Sequence, residues 1–236
     1  MDETLTSITI ILDRSGSMSP LRNDVIEGVN AFIRDQQKTE GKATVSLVQF
    51  DDRYEENYMN LPLEKAEFLS EETYEPRGLT ALLDAVGRCV KNAKQRVKEM
   101  PKAKRPAKNI VLIFTDGAEN ASQEWTKEKV AALVKKQEDK HNWKFVFLGA
   151  NIDSFGTASS YGISAGSTSN FNASSKGIRS ALYGASNAVT YARNQSTEEY
   201  TETATLLRSA GVDENIDDNS VTGTEFDVTT NTEENK

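Results

Sequence analysis

The stretch from Ser7 to Ser19 reads Ser-Ile-Thr-Ile-Ile-Leu-Asp-Arg-Ser-Gly-Ser-Met-Ser, and its two halves set the fold and point to the chemistry. Ser7 to Leu12 is a short apolar run rich in β-branched side chains. A continuous apolar run suits a strand covered on both faces, as in a parallel sheet. The run then breaks into an acid, hydroxyls and a glycine. Asn109–Thr115 and Trp143–Gly149 repeat the apolar pattern, so Trp143, Phe145 and Phe147 read as core strand residues. Ala43–Phe50 alternates in part, and the more polar Tyr54–Leu61 suits an edge strand, expected to run antiparallel.

Between these runs the period becomes helical. Val25, Ile26, Val29, Phe32 and Ile33 form one apolar stripe, with Ser19 as expected N-cap, Pro20 at the first helical position and Gly41 beyond the end. Leu82, Leu83, Val86, Val90, Ala93 and Val97 form a second stripe. A third helix starts near Thr126 and carries Val130, Leu133, Val134 and Gln137. A fourth carries Ile178, Leu182, Ala185 and Val189. A short helix is expected within Asn151–Tyr161 and a brief strand near Ser167–Phe171. Strands alternating with helices predict a doubly wound α/β fold: a mostly parallel sheet, one antiparallel edge strand, and helices on both faces.

The 236 residues carry 28 Lys and Arg against 36 Asp and Glu, a net charge of −8. From Thr197 to Lys236 there are eleven acids and two bases, so this stretch carries −9 and the remainder +1. The expected organisation is therefore a domain over residues 1–196 and an acidic, disordered tail over 197–236. A nearly neutral body without a basic patch excludes nucleic acid as an expected partner. No apolar run approaches the roughly 18 residues that span a bilayer. The start, Met1-Asp2-Glu3-Thr4, is unlike a basic signal peptide. A single cysteine, Cys89, makes neither an internal disulfide nor a multi-thiolate zinc site. A cytoplasmic location is the expectation. The oligomeric state is not set by the sequence.

In doubly wound sheets, ligands bind beyond the carboxyl ends of the strands, where the strand order reverses. Three segments lead there. The first strand runs into Asp13-Arg14-Ser15-Gly16-Ser17. The strand Asn109–Thr115 runs into Asp116-Gly117. Arg77-Gly78-Leu79-Thr80 precedes the second helix. Together they offer two carboxylates and three hydroxyls, all hard oxygen donors of the kind that hold Mg²⁺. Each has a plainer reading taken singly. The first loop could cap a helix, Thr80 could be an N-cap, and Asp-Gly is a common turn.

Jointly, in this order and at these strand ends, the residues resemble the von Willebrand factor type A domain with its metal-ion-dependent adhesion site. That family has an Asp-x-Ser-x-Ser loop after the first strand, a distant Thr, and an Asp in a Thr-Asp-Gly turn. Asp13, Ser15, Ser17, Thr80 and Asp116 match them. The resemblance covers about residues 5 to 195. It is greatest to stand-alone bacterial and phage members, through Gly78–Gly87 and Phe147–Gly156. It implies that Ser15, Ser17 and Thr80 coordinate Mg²⁺ (or Mn²⁺) directly and that the aspartates act directly or through water. It also implies that an Asp or Glu of a protein partner completes the octahedron.

The function expected on these grounds is a non-catalytic, metal-dependent protein-binding module. Two other readings stand beside it. One is a metal-dependent phosphohydrolase. Against it, Ser15 stands where a haloacid-dehalogenase-type phosphatase has a second Asp, Asp116 is followed by Gly-Ala, and no Gly-Lys-Ser/Thr phosphate loop is present. The other is an adaptor or scaffold for a separate ATPase or a phage or stress-related complex. Elsewhere, Asp84 reads as a solvated helix position in preference to a group supporting the metal ligands from behind, Cys89 as a packed thiol, and His141 as a helix-end residue. Asp153 reads as a residue shaping a strand-end loop.

Overall fold

The structure is a computed structural model and describes residues 1–216. Seven strands form one sheet: β1 (Asp2–Asp13), β2 (Lys42–Phe50), β3 (Tyr54–Pro62), β4 (Pro106–Thr115), β5 (Trp143–Ala150), β6 (Thr168–Phe171) and β7 (Asn215–Ile216). Their order is β3-β2-β1-β4-β5-β6-β7. All neighbours pair in parallel except β2 and β3, which are antiparallel. The helices are α1 (Arg22–Lys38), α2 (Leu82–Glu99), α3 (Lys127–His141), α4 (Ser154–Ser160), α5 (Ser175–Asn194), α6 (Thr197–Glu202) and α7 (Leu206–Ser209).

The continuous apolar runs are continuous because alternate residues enter different cores. Ile8, Ile10 and Leu12 of β1, with Ile110, Leu112 and Phe114 of β4, pack under α1 and α5. Ile11, Val111, Ile113, Phe145 and Phe147 pack on the other face against α2 and α3. The edge strand β3 is half exposed, and its pairing with β2 shifts register twice. The predicted fold class and its antiparallel edge strand are therefore present. The chain passes from β1 to β2 on one side and returns to β4 on the other, so the strand order reverses at β1. The carboxyl ends of β1 and β4 flank that reversal.

Two expectations are corrected. Ser19 and Pro20 do not open α1: they lie in a 3-10 turn over Gly16–Leu21, and α1 starts at Arg22. The chain must first leave the β1 loop and bury Met18 and Leu21 before the α-helix forms. The acidic stretch also does not begin as a disordered tail. Residues 197–216 form α6, α7 and β7, and bury Tyr200, Leu206, Leu207 and Ile216 against the sheet and α5. Those four apolar side chains outweigh the surrounding charge, because Glu198, Glu199 and Glu202 sit on the exposed side. Ser196 and Glu199 close a reciprocal capping box on α6. Residues 217–236 lie outside the described residues. Among the described residues no helix is long and apolar enough to cross a membrane.

Candidate metal centre

β1 delivers Asp13 to the reversal point with its side chain wholly buried. Its Oδ1 accepts the Ser15 N–H at 2.6 Å, and its Oδ2 accepts the Thr115 hydroxyl at 2.5 Å. The Tyr74 hydroxyl donates to the Asp13 carbonyl at 2.8 Å. These contacts fix the carboxylate but do not offset its loss of water. Burial pushes the Asp13 carboxyl up to about 6. Asp116, at the end of β4, is also raised, again chiefly by burial. Neither carboxylate has an ion-pair partner among the described residues.

The hydroxyls complete the cluster. Ser15 Oγ and Ser17 Oγ lie 3.1 Å apart, and the Ser17 hydroxyl donates to Asp116 Oδ1 at 2.6 Å. Gly117 shows how closely Thr80 joins them. A Cβ placed on Gly117 would stand 3.1 Å from Thr80 Oγ1, 3.5 Å from Ser17 Oγ and 3.7 Å from Ser15 Oγ. Three hydroxyl oxygens thus surround one small space that a side chain at 117 would fill. The structure brings Asp13, Ser15, Ser17, Thr80 and Asp116 into one constellation. Two buried carboxylates without a counter-cation, beside three convergent hydroxyls, fit a hard divalent cation such as Mg²⁺ or Mn²⁺. No group of three or more His, Cys, Asp or Glu that could hold a metal forms among the described residues, so a site built from those side chains alone has no counterpart there.

Two clamps hold the constellation; sequence reading missed the first and ranked the supporting role of Asp84 in the second below a solvated position. The first is Asp51, at the end of β2 and fully buried. Its Oδ2 accepts Arg14 Nε at 3.1 Å and Arg77 Nε at 2.9 Å, and its carbonyl accepts the Ala81 N–H at 2.9 Å. Arg14 also reaches Glu55 at 2.7 Å. The loops carrying Ser15 and Thr80 are therefore tied to one acid. Gly78, at φ +66°, lets the second loop pass: a Cβ there would lie 2.1 Å from Asp52 Oδ1.

The second clamp is the loop after Asp116. Asp84 is not a solvated helix position. It is half-buried, and its carboxylate accepts the N–H groups of Gln123, Glu124 and Trp125 at 2.9, 2.9 and 2.8 Å. In return, Glu119 accepts the Leu83 N–H at 2.8 Å and Ser122 Oγ accepts the Asp84 N–H at 3.0 Å. Thr80 is not an N-cap either: Ala81 holds that place, and the orphan N–H groups of α2 go to Glu119 and Ser122.

The other candidates fall away from the centre. Cys89 is buried in the core under α2, and burial pushes its thiol up to about 12. Asp153 caps α4 through the Gly156 N–H at 2.9 Å. His141 ends α3, where burial and then Lys94, Lys136 and Lys140 lower its pKa.

A sequence model of the von Willebrand factor type A domain matches residues 7–154. The chain belongs to that family. No curated protein matches it in a sequence search. Among solved structures, proximal thread matrix protein 1 from the mussel byssus is similar at TM-score 0.55 and 15% identity, over 79% of this chain and 46% of that one. This chain thus spans less than half of the mussel protein. The same protein with a zinc-occupied metal-ion-dependent adhesion site motif gives TM-score 0.54 and 17% identity, over 78% of this chain and 46% of that one. Manganese-loaded TRAP protein of Plasmodium vivax gives TM-score 0.51 and 17% identity, over 73% and 70% of the two chains. These likenesses bear on the fold.

Proposed function

We propose that this domain is a non-catalytic, metal-dependent protein-binding module. The observation that carries the reading is the convergence of three hydroxyls beside two buried, cation-free carboxylates at the reversal point of the sheet. Asp13 and Asp116 would neutralise a Mg²⁺ or Mn²⁺ ion, and Ser15, Ser17 and Thr80 would add oxygens without adding charge. When bound, the cation supplies Lewis acidity toward a hard, anionic oxygen. The five side chains offer at most five direct ligands where such an ion takes six. Ser17 is exposed, so the cluster is open to solvent on that side. An Asp or Glu of a partner protein suits the remaining position. Exposed Leu79, next to Thr80, offers that partner an apolar contact. Zinc in the adhesion-site motif of the mussel protein and manganese in the Plasmodium protein are in keeping with this donor set.

The hydrolase reading is less well supported, since Ser15 stands two residues after Asp13 where a haloacid-dehalogenase-type phosphatase has its second acid, and Asp116 leads into Gly117 and Ala118. Titration calorimetry with Mn²⁺ tests the first half of the proposal: one ion binds, and Asp116→Ala abolishes the heat. Retention on a surface bearing glutamate peptides tests the second. It requires metal and fails on the matching glutamine peptides. Undiminished retention in EDTA overturns the mechanism.

A further inference from the structure

We propose that Asn120 is a positioning residue of the metal centre, acting through Thr80; this rests on the metal-binding reading above. A ligand hydroxyl is useful only if its backbone is held where the ion needs it, and small displacements matter because Mg²⁺ and Mn²⁺ tolerate little distortion. Thr80 lies just before α2, in no helix or strand of its own. Both of its backbone polar groups are taken by the loop that follows Asp116. The Thr80 N–H donates to Asn120 Oδ1 at 2.9 Å. The Thr80 carbonyl accepts the Asn120 N–H at 3.0 Å and the Ala121 N–H at 3.3 Å. Asn120 thus grips one residue through both of its flanking peptide groups, as a neighbouring strand would, from 40 positions away in sequence.

This grip joins the two halves of the site. Asp116 and Asn120 are four residues apart on one loop, so whatever places Asn120 also sets Thr80 relative to Asp116. The loop cannot drift, because Asp84, Glu119 and Ser122 lock it to the first turn of α2. Trp125 closes its far end against Gly87, where a Cβ would lie 2.1 Å from the indole. The Asn120 amide is exposed and reaches none of the carboxylates, and its oxygen is engaged by Thr80. Its part is placement of the Thr80 hydroxyl, with no contact to the ion.

Mn²⁺ titration of the full chain tests this. Asn120→Ala weakens binding about tenfold, the scale on which residues that orient metal ligands act. Its melting temperature in EDTA stays within a few degrees of the parent. Asn120→Asp keeps the acceptor oxygen and binds at least as tightly as the parent. In a Thr80→Ala background, where the placed hydroxyl is gone, Asn120→Ala causes no further loss. The proposal is overturned by parent-like affinity of Asn120→Ala, by an equal tenfold loss in the Thr80→Ala background, or by a similar loss in Asn120→Asp. If Asp116→Ala and Thr80→Ala themselves bind Mn²⁺ like the parent, the metal-binding reading falls first, and the two failures are told apart.

Discussion

At the carboxyl ends of the strands the buried charges are Asp13, Asp51 and Asp116 with one base, Arg14; at the amino ends they are Lys108 and Arg193. The lower pair has no carboxylate partner, yet it is matched. Lys108 Nζ donates to the carbonyls of Ala192 at 3.0 Å and Arg193 at 2.9 Å, and to that of Gln195, all at the end of α5. The terminal nitrogens of Arg193 donate to the Gln36 side chain and to the carbonyls of Gln36, Thr39, Glu40 and Gly41, past the end of α1. Those carbonyls are the negative, unpaired end of a helix, so each cation completes a helix terminus. At the upper end Asp51 is matched by two cations, Arg14 and Arg77. Asp13 and Asp116 are not. Buried charge alone therefore does not mark a site in this protein. What marks it is charge whose oxygens converge with others and meet no cation.

The contrast can be broken from either end. The largest effect is expected of Asp116→Ala, which lowers Mn²⁺ affinity by roughly a hundredfold or more, beyond the loss typical of a residue that only orients a ligand. Its metal-free melting temperature does not fall, because a buried, unmatched anion has been removed. Lys108→Met does the reverse. It strands three carbonyls and costs about 2–3 kcal/mol, a drop of roughly 5–10 °C for a chain of this size. Mn²⁺ affinity measured below the transition is unchanged. A loss of metal affinity in Lys108→Met would erase the distinction between the two ends.

The pH dependence sharpens the upper end. The folded pKa of Asp13, about 6, lies above the ordinary 3.8, so the native state keeps a proton that the unfolded chain releases. The stability this gives is present below the ordinary value and is lost as pH rises through about 6. In EDTA the melting temperature of Asp13→Asn therefore gains on the parent between pH 4 and 7, and saturating Mg²⁺ restores the parent. Parallel curves would show that Asp13 is not a buried charge. The smallest effect is expected of Leu79→Ser: capture of the glutamate peptide falls a few-fold, while Mn²⁺ affinity stays the same. Leu79 is 57% exposed and contributes no oxygen to the site, so a change in metal affinity would contradict its assignment to the partner surface.

Much of the fold was legible because the runs Ser7–Leu12, Asn109–Thr115 and Trp143–Gly149 are each buried on two faces, which leaves a long apolar signal. The convergence of the five candidate residues was legible because each lies at or within a few residues of a strand or helix end. The clamps were not. Asp84, Glu119 and Asn120 act through backbone N–H groups 36 to 41 positions away, and such bonds impose no pattern on the sequence. Asp51 was invisible for a similar reason, since its partners Arg14 and Arg77 come from separate loops. Residues 197–216 were misread because composition averages over position. Four buried apolar side chains in that stretch decide its state, and the acids around them decide its count.

The β3 border of the sheet bears on how the protein behaves in a crowded solution. β3 carries Glu55 and Glu56, a positive φ at Asn60, Pro62 at its end, and two breaks in register. A foreign strand needs a long, flat, uncharged border to extend a sheet, and the β3 side does not provide one. Self-association by sheet extension along β3 is thereby disfavoured, so under the proposed metal reading any clusters formed with divalent ions would be expected to dissolve in chelator.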